Sequence, residues 1–168
     1  IESIYKLLNE KGITVSVFDS IAANEESFKS LHRRSPDILH LATHGFVIDT
    51  PQKAKGNKFV ATTNIYSQKD SYLMWAGLML AGGNNIWQGR FNLTNVEDGI
   101  LTADEISRLD LSNTKLVVLS ACETARGKVD PVDGVYGLQR AFKLAGVQTI
   151  VMSLWKVQDD ATAMLMTQ

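Results

Sequence analysis

Of 168 residues only one, Cys122, is a cysteine, and only three are prolines. A lone thiol forms no internal disulfide, so the chain is not a disulfide-stapled secreted scaffold, and a reducing, cytoplasmic setting is expected. Neither sign of charge is in excess: 17 Lys and Arg face 18 Asp and Glu, for a formal charge of −1. No Lys/Arg tract exceeds the pair Arg33-Arg34, so the counterion release that drives nucleic-acid binding has no source. Long apolar runs are missing as well. The longest, Leu73 to Ala81, is about half of the roughly 20 residues that cross a bilayer; neither a membrane segment nor a signal peptide is expected. There is no internal repeat and no low-complexity tract. Between Gly127 and Gly134 the G-x-G-x-x-G spacing is missing, which argues against a nucleotide-binding α/β domain.

What is present is an ordinary globular composition, 45% apolar and 21% charged, enough for one domain with a substantial core. Short apolar runs alternate with helical patterns, the mark of an α/β fold with a mostly parallel sheet and helices on both faces. Residues 14–18 (Thr-Val-Ser-Val-Phe) read as a first strand. Asn24 offers an N-cap for a helix to about Arg34, with Phe28 and Leu31 on one side and Ser35-Pro36 as its stop. A strand over 37–43 follows. Thr102-Ala103-Asp104-Glu105 has capping-box spacing and predicts a short helix to Arg108 before a strand over 115–121. From Gly134 the apolar residues Val135, Leu138, Phe142 and Ala145 recur at helical spacing, Gly146 supplies a C-cap, and 148–155 reads as a further strand.

Phe46 to Gly99 lacks a clean period and reads as an insertion with a hairpin or short helices, the kind of segment that shapes a cleft. The Leu/Met stripe at 73–80 and Trp155 read as core. Ile1 at the start and an uncapped helical pattern over 161–168 suggest a piece of a longer, multidomain polypeptide.

Two apolar runs end in reactive side chains. Leu116 to Ala121 leads into Cys122, and Ile38 to Thr43 leads into His44-Gly45. In a parallel sheet the carboxyl ends of strands lie along one edge, so a thiol and an imidazole are expected side by side. An imidazolium favours the thiolate over a thiol of pKa about 8.5 and can protonate a leaving amine. Cys122 would then attack a carbonyl, with the N–H groups of Gly45 and Cys122 holding the oxyanion. Taken singly these features have plainer readings: a cysteine after a buried strand is commonly packing, and His-Gly pairs are common at strand exits. His40 and His44 are four apart, but the run is a strand and carries no companion carboxylate, so no metal is expected. His40 reads as a satisfied core side chain or one that supports a neighbour.

Three blocks resemble the CHAT domain, a caspase-like family of cysteine peptidases related to separase: His40 to Gly45, Leu116 to Thr124, and Ser153 to Thr162. Asp98 to Ile106 and Gly134 to Phe142 are similar to the same family. The resemblance implies a caspase-like three-layer sandwich and a cysteine endopeptidase with His44 and Cys122 as its dyad, needing no cofactor and no third carboxylate. It further implies a helical-repeat sensor in the same polypeptide and a bacterial signalling or defence role in which a partner protein is cut. Separase-type relatives hold a basic substrate residue with a carboxylate just after a Leu-Trp-x-Val segment, the place of Asp159 here. Asp159 would serve equally as an N-cap or first-turn acid of the last helix. Asp133 is the runner-up pocket acid. Glu123, beside Cys122, would raise the thiol pKa and is not assigned to catalysis. Many relatives carry a glycine soon after the Cys-Glu-Thr block, where this chain has Ala125-Arg126 before Gly127. The alternative to an active peptidase is a catalytically silent interaction module of the same fold.

Overall fold

A computed structural model describes residues 2–47, 73, 76–83, 97–120, 122–123 and 131–152, of which 122, 123 and 131–135 are described by their backbone alone. The architecture is α/β, with one wholly parallel sheet and one mixed sheet. Strands β1 (Ile38–Leu41), β5 (Leu116–Leu119) and β7 (Thr149–Met152) form the parallel sheet in the order β1-β5-β7. Strands β2 (His44–Val47), β3 (Ala76–Met79), β4 (Ile100–Thr102) and β6 (Cys122–Glu123) form the second, in the order β4-β3-β2-β6. There β2 and β6 are parallel, while β3 runs antiparallel to both β2 and β4.

Among the described residues the helices with defined bounds are α1 (Glu2–Glu10), α2 (Glu25–Lys29), α3 (Ala103–Ser107) and α4 (Pro131–Leu144), with a 3₁₀ turn at Ser20–Ala22. Helix α2 starts as expected: the Asn24 side chain accepts a hydrogen bond from the Ser27 N–H at 2.9 Å. It stops sooner than the apolar spacing suggests. Arg33 takes a left-handed φ of +62° and its N–H donates to the Asp110 carbonyl at 2.8 Å, which takes the chain out of the helical path. Helix α3 carries the full capping box, Thr102 Oγ1 accepting from the Glu105 N–H and Glu105 Oε2 from the Thr102 N–H.

Helix α4 begins three residues before Gly134, at Pro131, whose missing N–H costs nothing at a first helical position. It ends in a Schellman arrangement: Gly146 has φ +96°, its N–H donates to the Lys143 carbonyl, and the Val147 N–H donates to Phe142.

The core gathers Leu78 from β3, Leu101 from β4, Ile106 from α3, Val117 and Leu119 from β5, and Ala141 and Phe142 from α4. All are buried, and α4 packs on α3 and β3. Of the 73–80 stripe, Leu73, Ala76 and Leu78 are buried in the core as expected, and Ala76–Met79 is a strand. Gly77 must be glycine because it lies opposite Phe46, whose ring atom Cζ would stand 2.6 Å from an added Cβ, with the Leu101 carbonyl at 2.5 Å.

One sequence expectation fails at the amino end. Residues 14–18 form no strand, and Val17 and Phe18 are exposed. The alternation was right for a strand, but among the described residues no ladder includes this segment, and an unpaired strand has no backbone partners to hold it. Instead the preceding residues form α1, in which Ile4, Leu7 and Leu8 stand at helical spacing and no residue is fully buried.

Candidate functional site

The runs that carry His44 and Cys122 each cross both sheets. Strand β1 stops at Leu41 and pairing resumes with β2 at His44; strand β5 stops at Leu119 and pairing resumes with β6 at Cys122. Leu41 pairs with Leu119 below this seam and His44 with Cys122 above it, the same offset of 78 residues on both sides. The register therefore passes through the seam without a slip.

His44 is not at a strand end, as the sequence suggests, but opens β2, which continues to Val47 between β3 and β6. The His-Gly pair reads as an exit because glycine is poor in strands. Here it is held by tertiary pairing on both sides, His44 facing Met79 and Cys122, and Gly45 facing Leu78 and Glu123. His44 is exposed, whereas Gly45 and Phe46 are buried. The exposed imidazole thus stands on a strand whose next two residues are anchored in the interior.

Polar groups close the seam. The Ser120 N–H donates to the Leu41 carbonyl at 2.8 Å. His40 Nε2 lies 2.9 Å from Ser120 Oγ, joining β1 to the residue after β5. Thr43 Oγ1 donates to the Met79 carbonyl, which ties the entry of β2 to β3. Burial pushes the His40 imidazole below its ordinary pKa, so it is neutral near pH 7.

Elsewhere, Glu25, Glu97 and Glu105 bring carboxylate oxygens within 4.8 Å of one another. This place is already taken by a cation of the chain itself. Lys29 Nζ lies 2.6 Å from Glu25, 2.7 Å from Glu97 and 2.9 Å from Glu105, and the surrounding carboxylates raise its pKa against the cost of burial. Glu25, 1% exposed, also accepts the Gly99 N–H at 2.9 Å. Burial pushes its carboxyl up to about 7, with Glu97 and Glu105 adding to the effect, while Lys29 and Gly99 act the other way. For Glu105, hydrogen bonds from Thr102 and the Lys29 ammonium outweigh burial and lower the pKa. The cluster ties α2 to the chain entering β4 and to α3, and it is a structural clasp. Nothing in the sequence reading singled it out; the spacing Glu25 to Lys29 was the available signal.

The remaining site residues named from sequence are not brought together by the described structure. Asp133 lies in the first turn of α4, described by backbone alone. Asp159, Trp155 and the last helical pattern lie outside the described residues.

A parallel sheet whose two neighbouring strands continue in register into a second, mixed sheet, with His44 opposite Cys122, is the frame on which the comparisons fall. The CHAT domain family model matches residues 1–168, and the chain belongs to that family, which is related to cysteine peptidases. Tetratricopeptide repeat protein 28 of Mus musculus is 45% identical over 65 residues, and that of Homo sapiens 41% identical over 69. These matches cover 39% and 41% of the chain but 3% of each relative, so the chain spans a small part of the length of the curated proteins it matches. Both are mammalian, and they lend no support to the bacterial setting expected from the family's usual layout. No solved structure matches the chain at a significant level. Among the described residues, no helix is long and apolar enough to cross a membrane.

Proposed function

We propose that the chain is a cysteine endopeptidase in which Cys122 is the nucleophile and His44 its acid and base. The observation that carries this reading is the register pair His44 and Cys122 on adjacent parallel strands. Neighbouring strands lie about 4.8 Å apart, a spacing that two side chains on a shared face bridge with little motion. His44 helps hold Cys122 as the thiolate, the thiolate adds to the scissile carbonyl, and the backbone N–H groups of Cys122 and Gly45 receive the oxyanion. His44 then protonates the leaving amine, and water releases the acyl group from sulfur. No metal and no cofactor takes part.

Membership of a family related to cysteine peptidases supports this chemistry. The caspase-like three-layer sandwich is the fold we assign to the whole domain, with the strands of the described α/β body as its centre. Because the matched relatives are named tetratricopeptide repeat proteins, we further assign the chain to a longer cytoplasmic polypeptide in which a helical-repeat region recognises a signal and the peptidase cuts a protein partner. Asp159 is assigned to the pocket that receives a basic residue before the scissile bond, with Asp133 as the alternative acid.

Profiling a peptide library with wild type, Cys122→Ala and Asp159→Ala tests the reading. Cleavage after Arg or Lys is expected for wild type, none for Cys122→Ala, and a loss of the basic preference for Asp159→Ala. Cleavage after apolar residues that Asp159→Ala leaves untouched removes the basic pocket while keeping the peptidase. Cleavage by Cys122→Ala equal to wild type removes the peptidase reading and favours an interaction module.

A further inference from the structure

The pair His40 and Ser120 has no part in the chemistry just described, yet it stands directly beneath it. Ser120 is two residues before Cys122 and His40 is four before His44, each on the run that carries its partner. His40 lies opposite Val118 in the parallel ladder, and its Nε2 reaches diagonally toward the carboxyl ends of the strands to Ser120 Oγ at 2.9 Å. Both side chains are half-buried, in runs that are otherwise apolar: Ile38, Leu39 and Leu41 around the histidine, Leu116 to Leu119 before the serine.

Polar groups in such runs are costly unless paired; an orphaned one costs roughly 1–3 kcal/mol. Here each satisfies the other only while β1 and β5 keep their present register. A slip of either strand by one residue, about 3.3 Å, breaks the contact and turns alternate side chains to the opposite face. Backbone bonds in a parallel ladder are evenly spaced and do not by themselves forbid a slip. The seam is the point of greatest need, because ladder pairing stops at Leu41 and Leu119 and must resume at His44 and Cys122 with the same offset of 78 residues. A polar group that fixes register among apolar neighbours is a device known from other folds, where the group is fully buried; here the two are half-buried.

We infer that His40 and Ser120 are positioning residues: their hydrogen bond locks the register of β1 against β5 at the seam and thereby sets His44 opposite Cys122. This inference rests on the His44 and Cys122 dyad. The lock acts through a neutral imidazole, which hydrogen-bonds the hydroxyl in either tautomer without placing a charge beneath the thiolate.

The test is the rate at which iodoacetamide alkylates Cys122, measured on folded protein at one pH near neutrality. Wild type is compared with His44→Ala, Ser120→Ala, His40→Leu, the double variant Ser120→Ala/His40→Leu and the conservative Ser120→Thr, and melting temperatures are recorded for all. Misplacing a reacting group by about 1 Å costs up to ~100-fold, so Ser120→Ala and His40→Leu are each expected to slow alkylation by about 10-fold or more. The double variant should be no slower than the slower single, the mark of one shared interaction, and Ser120→Thr, which keeps the hydroxyl, should stay near wild type.

If His44→Ala slows alkylation while Ser120→Ala and His40→Leu lower only the melting temperature, the dyad stands and the positioning role is overturned. The role is also overturned if the two losses multiply in the double variant. Should His40→Leu fail to fold, Ser120→Ala and Ser120→Thr decide the matter alone. If wild type reacts no faster than a free thiol and His44→Ala changes nothing, the dyad reading falls and takes the inference with it.

Discussion

The two sheets share a pair of chain segments and use them differently. Below the seam, β1, β5 and β7 are short, parallel and apolar, and β5 alternates half-buried with buried side chains, Val117 and Leu119 facing the core. Above it, β2 and β6 carry a histidine and a cysteine in register, and β2 is braced on its other side by the antiparallel β3. The lower sheet is held by its parallel ladders and by the packing of Val117 and Leu119 in the core. The upper one needs a neighbouring strand, a glycine under the Phe46 ring and polar ties at the seam. A scaffold and the proposed dyad can thus be carried by the same two chain segments, provided that the register survives the crossing.

Truncating a core residue in each sheet sharpens this contrast. Leu78→Ala, in the strand that braces β2, is expected to cost about 2–5 kcal/mol of stability and also to slow thiol alkylation in the folded fraction, because β2 loses its support. Val117→Ala, in the lower sheet, is expected to cost less, roughly 1.5–3 kcal/mol by the area and cavity it removes, and to leave the alkylation rate of folded protein near wild type. Denaturant unfolding gives the first quantity and alkylation the second. Equal effects on the thiol from both variants would mean that the sheets do not act separately.

A smaller effect is expected at the clasp around Lys29. Glu25 binds its proton more tightly folded, at about 7, than at its ordinary value of 4.5. Its contribution is therefore complete below about 4.5 and is lost as pH rises through about 7. Glu105, lowered from 4.5, acts in the opposite sense and at more acid pH. His40, lowered from 6.5, also changes charge in the window from 5 to 7. Because it is present in both proteins, the difference between wild type and a Glu25 variant isolates Glu25. Glu25→Gln should flatten the pH dependence of melting in that window by about 2–4 °C, the shift that ~1 kcal/mol gives a domain of this size. A profile unchanged by the substitution would place the proton elsewhere in the cluster.

Local signals proved readable where the physics is local. Asn24 and the Thr102 capping box each start a helix through side chain to backbone bonds within three residues, and both are present. The Leu116 to Leu119 run and the Gly146 cap were legible for the same reason. Long-range pairing was not. Thr-Val-Ser-Val-Phe at 14–18 has strand alternation but no partner among the described residues, while His44 to Val47 carries a glycine that argues against a strand and yet pairs on both sides. The placement of His44 beside Cys122 followed from two apolar runs ending alike. The His40 to Ser120 contact, 80 positions apart, left no mark in the sequence pattern, and of the Lys29 clasp only the local Glu25 to Lys29 spacing did, not its partner Glu105 76 positions away.

The central claim is that His44 activates Cys122, and the pH dependence of Cys122 alkylation tests it most directly. In wild type the rate should rise with a midpoint well below the free-thiol value of about 8.5, and His44→Ala should return that midpoint to about 8.5 and slow the reaction at pH 7. A wild-type midpoint at or above 8.5 that His44→Ala leaves in place would contradict the account.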